Sequence, residues 1–175
     1  MLFRSRLPIS LPRSVGQIPV YYSQPQTSDY VEESAKPLFP FGYGLSYTQF
    51  EYSDLDVETP IYRVSKEKGV STPTDTICKV TCTIKNIGPY DGDEVVQLYV
   101  RDEVASVAPA SKLLKGFQRV RINKGESRLV TFYLTQSDLS VYSAQNGWHQ
   151  EGGDFIVMVG NNSTNIQLNS KITIE

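Results

Sequence analysis

Five short runs in which apolar and polar residues alternate with a period of two restrict the fold of this chain more than any other feature. They occupy residues 78–85, 94–101, 127–134, 154–160 and 165–174, and clusters of Gly, Asn and Asp separate them. Alternation of this kind is typical of half-buried strands, and such clusters are typical of turns. The sequence suggests one short helical turn, residues 135–140, capped by Thr135 or Ser137. We therefore predict an all-β sandwich.

The alternation also predicts which side chains form the core. In residues 94–101 it places Val96, Leu98 and Val100 on the inner face, with Gln97 and Tyr99 on the opposite face. The same argument assigns these residues to the core: Val130, Phe132, Leu134, Phe155, Val157, Val159, Ile166, Leu168, Ile172 and Ile174. Residues 54–58 alternate as well, and there the three carboxylates share one wet face.

The two cysteines, Cys78 and Cys82, lie on the same predicted face of one strand. Four extended residues separate their Cα atoms by about 13 Å, which is too far for a disulfide. A zinc site would need further Cys or His ligands, and the sequence has a single histidine. We therefore expect buried free thiols that behave as small hydrophobic residues, and we expect no metal and no cofactor.

Charge and hydrophobicity exclude several classes of function. The net charge is −2 and is spread along the chain, which gives no reason to expect nucleic-acid binding. The most basic stretch, residues 112–124, interleaves its charges with apolar residues, as a half-buried strand does. No apolar run approaches the roughly 18–20 residues that cross a bilayer. The N-terminus lacks the apolar core of a signal peptide, so we expect none.

The acidic cluster PYDGDE and the lone histidine are candidate functional residues with ordinary explanations. Asp-Gly is typical of a hairpin turn, and Glu94 begins a strand. Asp91, Asp93 and Glu94 could also hold calcium, but the EF-hand spacing is absent, so we interpret them as a turn. His149 lies in a Gly-rich stretch without a nucleophile-elbow motif, and we interpret it as a surface residue.

Residues 1–50 do not share the strand pattern. Residues 7–22 contain three prolines, and this composition favours an extended edge strand and a loop. Residues 22–36 are polar and read as a surface loop. Residues 36–50, KPLFPFGYGLSYTQF, combine five aromatic rings with two prolines and two glycines. Residues 1–36 have too little hydrophobic surface to fold alone, and we interpret them as the end of a larger folded unit.

The chain resembles the C-terminal end of glycoside hydrolase family 3, the β-glucosidase and β-xylosidase type enzymes, from Leu7 to the last strand. The N-terminal matches are Leu7-Pro8, Pro12-Arg13, Gly16–Tyr22 and Phe39–Thr48. The later residues resemble the fibronectin type III-like domain that closes many of these enzymes. Its matching residues are Val80, Lys85-Asn86, Gly88, Gly92–Tyr99, Leu114–Phe117, Gly125–Ser127 and Trp148.

The resemblance implies an immunoglobulin/fibronectin type III-like β-sandwich preceded by an extended segment from the end of an α/β sandwich domain. We expect a domain remnant at residues 1–36, a linker at 37–50 and the sandwich at 51–175. Retaining glycosidases need two carboxyl groups flanking the sugar, and in this family both lie on upstream domains that this chain does not contain. The resemblance thus implies no catalytic residue here and no activity in isolation. It also implies packing against the upstream barrel and α/β sandwich domains, and contact with β-linked oligosaccharides only through them.

The linker is the candidate functional site. The resemblance implies that its aromatic rings pack against both neighbouring domains and fix their relative pose, with glycines that permit turns or close backbone approach. The residues assigned to this packing are Phe39, Phe41, Gly42, Tyr43, Gly44 and Tyr47. The same rings could instead approach the substrate cleft. Without the upstream domains they would be exposed and would make the chain prone to association.

Two other functions remain open from the sequence. One is a free-standing carbohydrate-binding or adhesion module, which would need an exposed aromatic platform. The other is an independent enzyme, which the missing carboxylate motifs disfavour. Residues 1–5 and 108–112 depart from the family pattern, so residues 1–5 could be non-native, and no binding role is assigned to the second stretch. The family implies a periplasmic or secreted location, and sequons at Asn161 and Asn162 would matter only in a eukaryotic secretory route.

Overall fold

The computed structural model of the chain describes residues 6–17, 20–24, 34–59, 76–106 and 110–174. Two short 3-10 helices lie in these ranges, at Val15–Gln17 and Gln136–Leu139. The strands are β1 (Phe50–Glu58), β2 (Thr76–Asn86), β3 (Gly92–Asp102), β4 (Leu113–Ile122), β5 (Ser127–Thr135), β6 (Ser140–Ser143), β7 (Gly147–Gln150), β8 (Gly153–Gly160) and β9 (Ile166–Ile174).

The long strands form two antiparallel sheets that face each other. The first sheet has the order β1-β2-β5, and the second has the order β4-β3-β8-β9. Strand β1 lies over β9 and β5 lies over β4, so both sides of the sandwich are closed by contacts between the sheets. The all-β sandwich predicted from the alternating runs is confirmed.

The core lies between the two sheets, where the alternation places it. Val96, Leu98 and Val100 on β3 are buried together with inward residues of the facing strands, Val130, Phe132, Leu134, Phe155, Val157 and Val159. Cys78 and Cys82 are fully buried free thiols on β2. Burial raises the pKa of each thiol to about 11, because the charged thiolate is disfavoured away from water.

Strand β1 contains an irregularity that changes which residues face the core. Its pairing with β2 shifts between Ser53 and Asp56, and Asp54 has a φ of 53°. Before the bulge the even-numbered Tyr52 faces the core, and after it the odd-numbered Leu55 and Val57 do. The carboxylates of the strand remain exposed. The wet face predicted for residues 54–58 is therefore present.

Strands β6 and β7 form a separate two-stranded hairpin that the sequence patterns did not predict. The Gly-rich composition of the stretch around Trp148 indicates a turn, whereas Tyr142 and Trp148 face each other across the hairpin. The 3-10 helix just before it begins at Gln136 and has Thr135 as its N-cap. The backbone N–H and the hydroxyl of Thr135 both donate to the Asp138 carboxylate. The predicted helical turn and its Thr135 cap are thus present.

Some sequence predictions fall outside the described residues. They are the non-native origin of residues 1–5, most of the polar loop at 22–36 and part of the stretch at 108–112. Within the described ranges, the structure contains no helix with the length and hydrophobicity needed to cross a membrane. In the same ranges, no group of three or more His, Cys, Asp or Glu residues is placed to hold a metal ion.

Candidate interdomain interface

The described parts of residues 6–48, called the N-terminal segment below, fold back on themselves and pack against the sandwich. Leu11 and Phe39 form an antiparallel bridge. The Leu7 N–H donates to the Tyr43 carbonyl at 2.8 Å, and the Gly42 N–H donates to the Leu7 carbonyl at 2.8 Å. These bonds join residues 7–11 to residues 38–43, so the linker and the stretch before it form one unit.

Gln97 on β3 holds this unit on the sandwich. Its side-chain amide donates to the Gly42 carbonyl at 3.3 Å and to the Asn161 carbonyl at 2.8 Å. Its amide oxygen accepts a hydrogen bond from the Tyr99 hydroxyl at 2.5 Å. Gln97 is only 3% exposed, so these protein partners replace the hydrogen bonds to water that its side-chain amide loses on burial.

Gly42 is required at this contact for two reasons. Its φ of 79° lies in the left-handed region that glycine adopts without strain. A Cβ at this position would lie 2.3 Å from Oε1 of Gln97 and 2.8 Å from its Nε2. A side chain at position 42 would have to displace the buried Gln97 amide from its hydrogen-bond partners.

An aromatic stack covers the adjoining part of β3. The Tyr22 ring stacks on Phe41 with centroids 4.4 Å apart and meets Tyr99 edge-on at 6.0 Å. The Tyr22 hydroxyl accepts a hydrogen bond from the Leu114 N–H at 3.1 Å. Tyr99 is fully buried, and burial raises its pKa well above the ordinary tyrosine value. The outer face of β3 is therefore a second, smaller core.

A buried ion pair forms at the other end of β3. Nη2 of Arg6 lies 2.9 Å from both carboxylate oxygens of Glu94, and the Tyr52 hydroxyl donates to Oε1 at 2.9 Å. Nη1 of Arg6 donates to the Gly44 carbonyl at 3.1 Å. Glu94 is 1% exposed. Burial raises the pKa of Glu94, while the Arg6 charge and the two hydrogen-bond partners act to lower it.

The last residues of the linker are fixed by Asn86 at the end of β2. The Thr48 hydroxyl donates to Oδ1 of Asn86 at 2.6 Å. Nδ2 of Asn86 donates to the carbonyls of Tyr90 and Ile122 at 2.8 and 3.0 Å, so this buried amide joins three loops. A Cβ on Gly88 would lie 2.2 Å from the Thr48 hydroxyl oxygen. The linker thus enters β1 along a single defined path.

The residues predicted to pack in the linker occupy different environments. Phe41 and Gly42 contact the sandwich directly, and the Phe41 carbonyl also accepts a hydrogen bond from the Ser163 N–H at 3.0 Å. Gly44 supplies the carbonyl that Arg6 binds.

The other three predicted rings have different surroundings. Phe39 and Tyr43 pack against each other with centroids 5.0 Å apart. Tyr47 is 64% exposed, and its neighbour Leu45 is 73% exposed. The structure therefore brings Gly42 against β3 and Phe41 against Tyr22 and Ser163, but it leaves Tyr47 on the surface.

The outer side of the N-terminal segment is an apolar surface. An apolar cleft of about 390 Å³ opens there between Pro8, Pro12, Tyr21 and Phe41. Large apolar side chains are exposed along the same segment, and they are Ile9, Val15, Tyr21, Leu38, Phe39, Leu45 and Tyr47. Such a concentration of exposed apolar side chains is typical of a surface that another protein unit covers.

Sequence reasoning missed Arg6, Glu94, Gln97 and Tyr99 as interface residues. A signal for Glu94 was present, because it has the same strand parity as Val96 and Leu98 and so falls on the inward face. A carboxylate in a core register requires a buried partner. Gln97 and Tyr99 gave no such signal, since a polar residue and a tyrosine are ordinary on a solvent-facing side.

The acidic residues of PYDGDE are engaged in hydrogen bonds and ion pairs. Asp93 binds Arg119 at 2.6 Å and Arg121 at 3.3 Å, and Asp91 accepts a hydrogen bond from the Lys124 N–H at 2.8 Å. These contacts tie β3 to β4 and to the turn after it. Because Glu94 is also paired, the cluster has a structural explanation.

His149 lies on β7 rather than in a turn, and it is partly buried. Its Nε2 is 3.0 Å from Oε1 of Glu151, and its Nδ1 is 3.0 Å from the Gly147 carbonyl. Glu151 also accepts hydrogen bonds from the backbone and hydroxyl of Ser106. Serine and histidine both bind the carboxylate here, so the arrangement connects a loop to the hairpin and does not activate the serine.

Comparison with known proteins places this architecture in a family. Residues 94–163 match the fibronectin type III-like domain. The thermostable β-glucosidase B of Acetivibrio thermocellus is 36% identical over 184 residues, covering 97% of this chain and 23% of that protein. The periplasmic β-glucosidase of Salmonella typhimurium is 37% identical over 180 residues, covering 94% of this chain and 22% of that protein.

Solved structures agree with the sequence relatives. A β-glucosidase from Erythrobacter marinus superposes with a TM-score of 0.83 at 35% identity, covering 97% of this chain and 22% of that one. A β-glucosidase from Listeria innocua, solved with glucose, gives a TM-score of 0.80 at 35% identity, covering 96% and 24%. The chain therefore spans less than a quarter of the length of these proteins, within their C-terminal part. It belongs to the C-terminal, fibronectin type III-like region of the glycoside hydrolase family 3 β-glucosidases and β-xylosidases.

Proposed function

We propose that this chain is the non-catalytic C-terminal part of a β-glucosidase- or β-xylosidase-type glycosidase, and that it packs against and stabilises the catalytic domains. The observation that carries the proposal is the two-sided N-terminal segment. Its inner side is fixed to the sandwich through Gln97 and Glu94, whereas its outer side is apolar and exposed. An exposed apolar side on a rigidly held segment is suited to contact with a second domain.

The same geometry supports a functional division of the chain. We assign residues 1–36 to the end of an α/β domain, residues 37–50 to the linker and residues 51–175 to the sandwich. Leu45 and Tyr47 would then reach the preceding domain, while Phe41 and Gly42 hold the sandwich side. In this proposal the first half of the linker packs on the sandwich, and the second half packs on the preceding domain.

The relatives support a proposal for the substrates and the location of the assembled enzyme. The matched proteins are described as β-glucosidases and β-xylosidases, so we propose β-linked glucosides or xylosides as substrates of the assembled enzyme. Hydrolysis would occur on the catalytic domains. One relative is periplasmic, which supports a periplasmic or secreted location. A free-standing adhesion module is less favoured, because the matches extend across the N-terminal segment as well as the sandwich.

Recombination of separately expressed parts tests the proposal. The chain alone should not hydrolyse aryl β-glucosides or β-xylosides, and adding it to the catalytic domains of the parent enzyme should restore activity and raise their melting temperature. A Leu45→Ser/Tyr47→Ser variant should restore less activity. Leu129→Ser is the matched control, since Leu129 is 70% exposed on β5. Turnover by the chain alone, or equal restoration by both variants, would contradict the proposal.

A further inference from the structure

A second cleft lies where β3 ends, beneath the β6–β7 hairpin. It has a volume of about 220 Å³, and its walls include Asp102, Lys115, Asp138, Tyr142 and Trp148. At ~30 Å³ per water molecule, this volume corresponds to about seven waters. The cleft therefore has room for a molecule with one ring, and it is too small for a folded partner segment.

The aromatic wall of this cleft is open to solvent. Trp148 is 74% exposed, and the Tyr142 ring meets it edge-on with centroids 5.6 Å apart at 64°. The tyrosine therefore supports the indole from its side without covering it as a parallel stack would. A cross-strand aromatic pair helps to stabilise a two-stranded hairpin, but that role does not require an exposed indole.

The polar wall of the cleft carries groups with unused hydrogen-bonding capacity. Oδ1 of Asp102 accepts a hydrogen bond from the Val104 N–H at 3.0 Å, whereas Oδ2 is shielded from solvent and has no partner among the described residues. A ligand in the cleft cannot reach this shielded oxygen, so the acceptor that Asp102 offers to the cleft is the remaining lone pair of Oδ1. The Lys115 side chain is partly buried and forms no hydrogen bond or ion pair within the described parts of the chain, although the Asp138 charge acts on it.

Asp138, the second carboxylate of the lining, is held in place by its neighbours. Its Oδ2 accepts hydrogen bonds from the backbone N–H and hydroxyl of Thr135 at 2.9 and 2.7 Å. The carboxylate is thus oriented by the 3-10 helix before any ligand arrives. The lining of the cleft is mostly apolar, and its charged groups are two carboxylates and one ammonium. This combination disfavours an anion and favours a neutral ligand that has both an apolar face and hydroxyl donors.

We propose that this cleft binds the ring of a neutral sugar, with one sugar face on the Trp148 indole and its hydroxyls on Asp102, Asp138 and Lys115. An aromatic face matches the C–H side of a pyranose ring, while carboxylates and an ammonium match its hydroxyls. The small contact area implies weak binding, with a Kd on the order of 1–10 mM. The site goes beyond the proposed packing role, does not depend on it and adds a direct sugar contact away from the interface.

Trp148 is the single tryptophan of the chain, so its fluorescence and indole N–H signal report on the cleft alone. Glucose, xylose and cellobiose are titrated into the whole chain and followed by fluorescence and by ¹H–¹⁵N NMR. We expect saturable shifts centred on Trp148, with Kd raised at least fivefold in Asp102→Asn. Phe117→Ala is the matched control, because Phe117 is an exposed aromatic residue on β4 and should leave Kd unchanged.

Folding of each variant is checked by the dispersion of its NMR spectrum, so a loss of binding is separated from unfolding. A linear response that sorbitol reproduces, or equal affinities of the wild type and the folded Asp102→Asn variant, would overturn the proposal. Because the titration uses the chain alone, its outcome is independent of the recombination assay.

Discussion

The destabilisation expected from Gly42→Ala has two sources, backbone strain and the lost contact between the linker and the sandwich. A second glycine with nearly the same φ, Gly125, lets the two be measured separately. Gly42 and Gly125 have φ values of 79° and 78°. A Cβ on Gly42 would lie 2.3 Å from Gln97, whereas a Cβ on Gly125 would have nothing within 4 Å. Both variants therefore carry the same backbone penalty, and only Gly42→Ala also displaces the Gln97 amide.

The expected magnitudes follow from these geometries. An alanine in the left-handed region costs about 1 kcal/mol in either variant. Gln97 makes two short hydrogen bonds and one long one, and each contributes about 1 kcal/mol net, less for the long bond. Gly42→Ala should therefore lower the free energy of unfolding by about 3 kcal/mol, against about 1 kcal/mol for Gly125→Ala.

Urea unfolding of the two variants and the wild type, followed by circular dichroism, measures this difference. The m-values should agree within error, so that a shift in midpoint reports stability. Losses that agree within about 0.5 kcal/mol would refute the claim that the linker backbone is closely fitted to Gln97. A Gly42→Ala loss that disappears in a Gln97→Ala background would identify the displaced amide as its cause.

Three further outcomes are expected. Arg6→Met should destabilise the chain by about 3 kcal/mol at pH 7. Because burial already raises the pKa of Glu94, removing Arg6 raises it further, so the urea-measured deficit should shrink as pH falls towards the ordinary carboxyl range. A chain of residues 51–175 should be less stable in the same assay, because removal of the N-terminal segment exposes Gln97 and Tyr99 to solvent. Both cysteines should resist a thiol reagent at pH 8 until denaturant is added, because burial raises their pKa to about 11.

The sandwich was largely predictable because each strand alternates apolar and polar residues, and this alternation shows which face of the strand is buried. Val96, Leu98 and Val100 are buried where their parity places them, and Cys78 and Cys82 follow the same rule. The hairpin β6–β7 escaped prediction because its strands have four residues each. So short a strand carries too few alternations to be distinguished from a turn.

The interface was less predictable because its partners are distant in sequence. Alternation gives Gln97 and Tyr99 a solvent-facing position, and only the folded N-terminal segment shows that this face is covered. The family resemblance pointed to the linker, yet it did not distinguish Phe41, whose ring stacks on Tyr22 and whose carbonyl binds Ser163, from the exposed Tyr47. That distinction depends on which side of the linker faces β3.

The bulge in β1 has a consequence for the solubility of the protein. Of the strands described, β1 lies at an edge of the first sheet, where an open backbone could pair with another molecule and start a fibril. The kink at Asp54 interrupts that edge, and Glu51, Asp56 and Glu58 add like charges that repel a second copy. Molecules that do associate should therefore do so through the apolar N-terminal surface, giving small soluble complexes instead of extended β-aggregates.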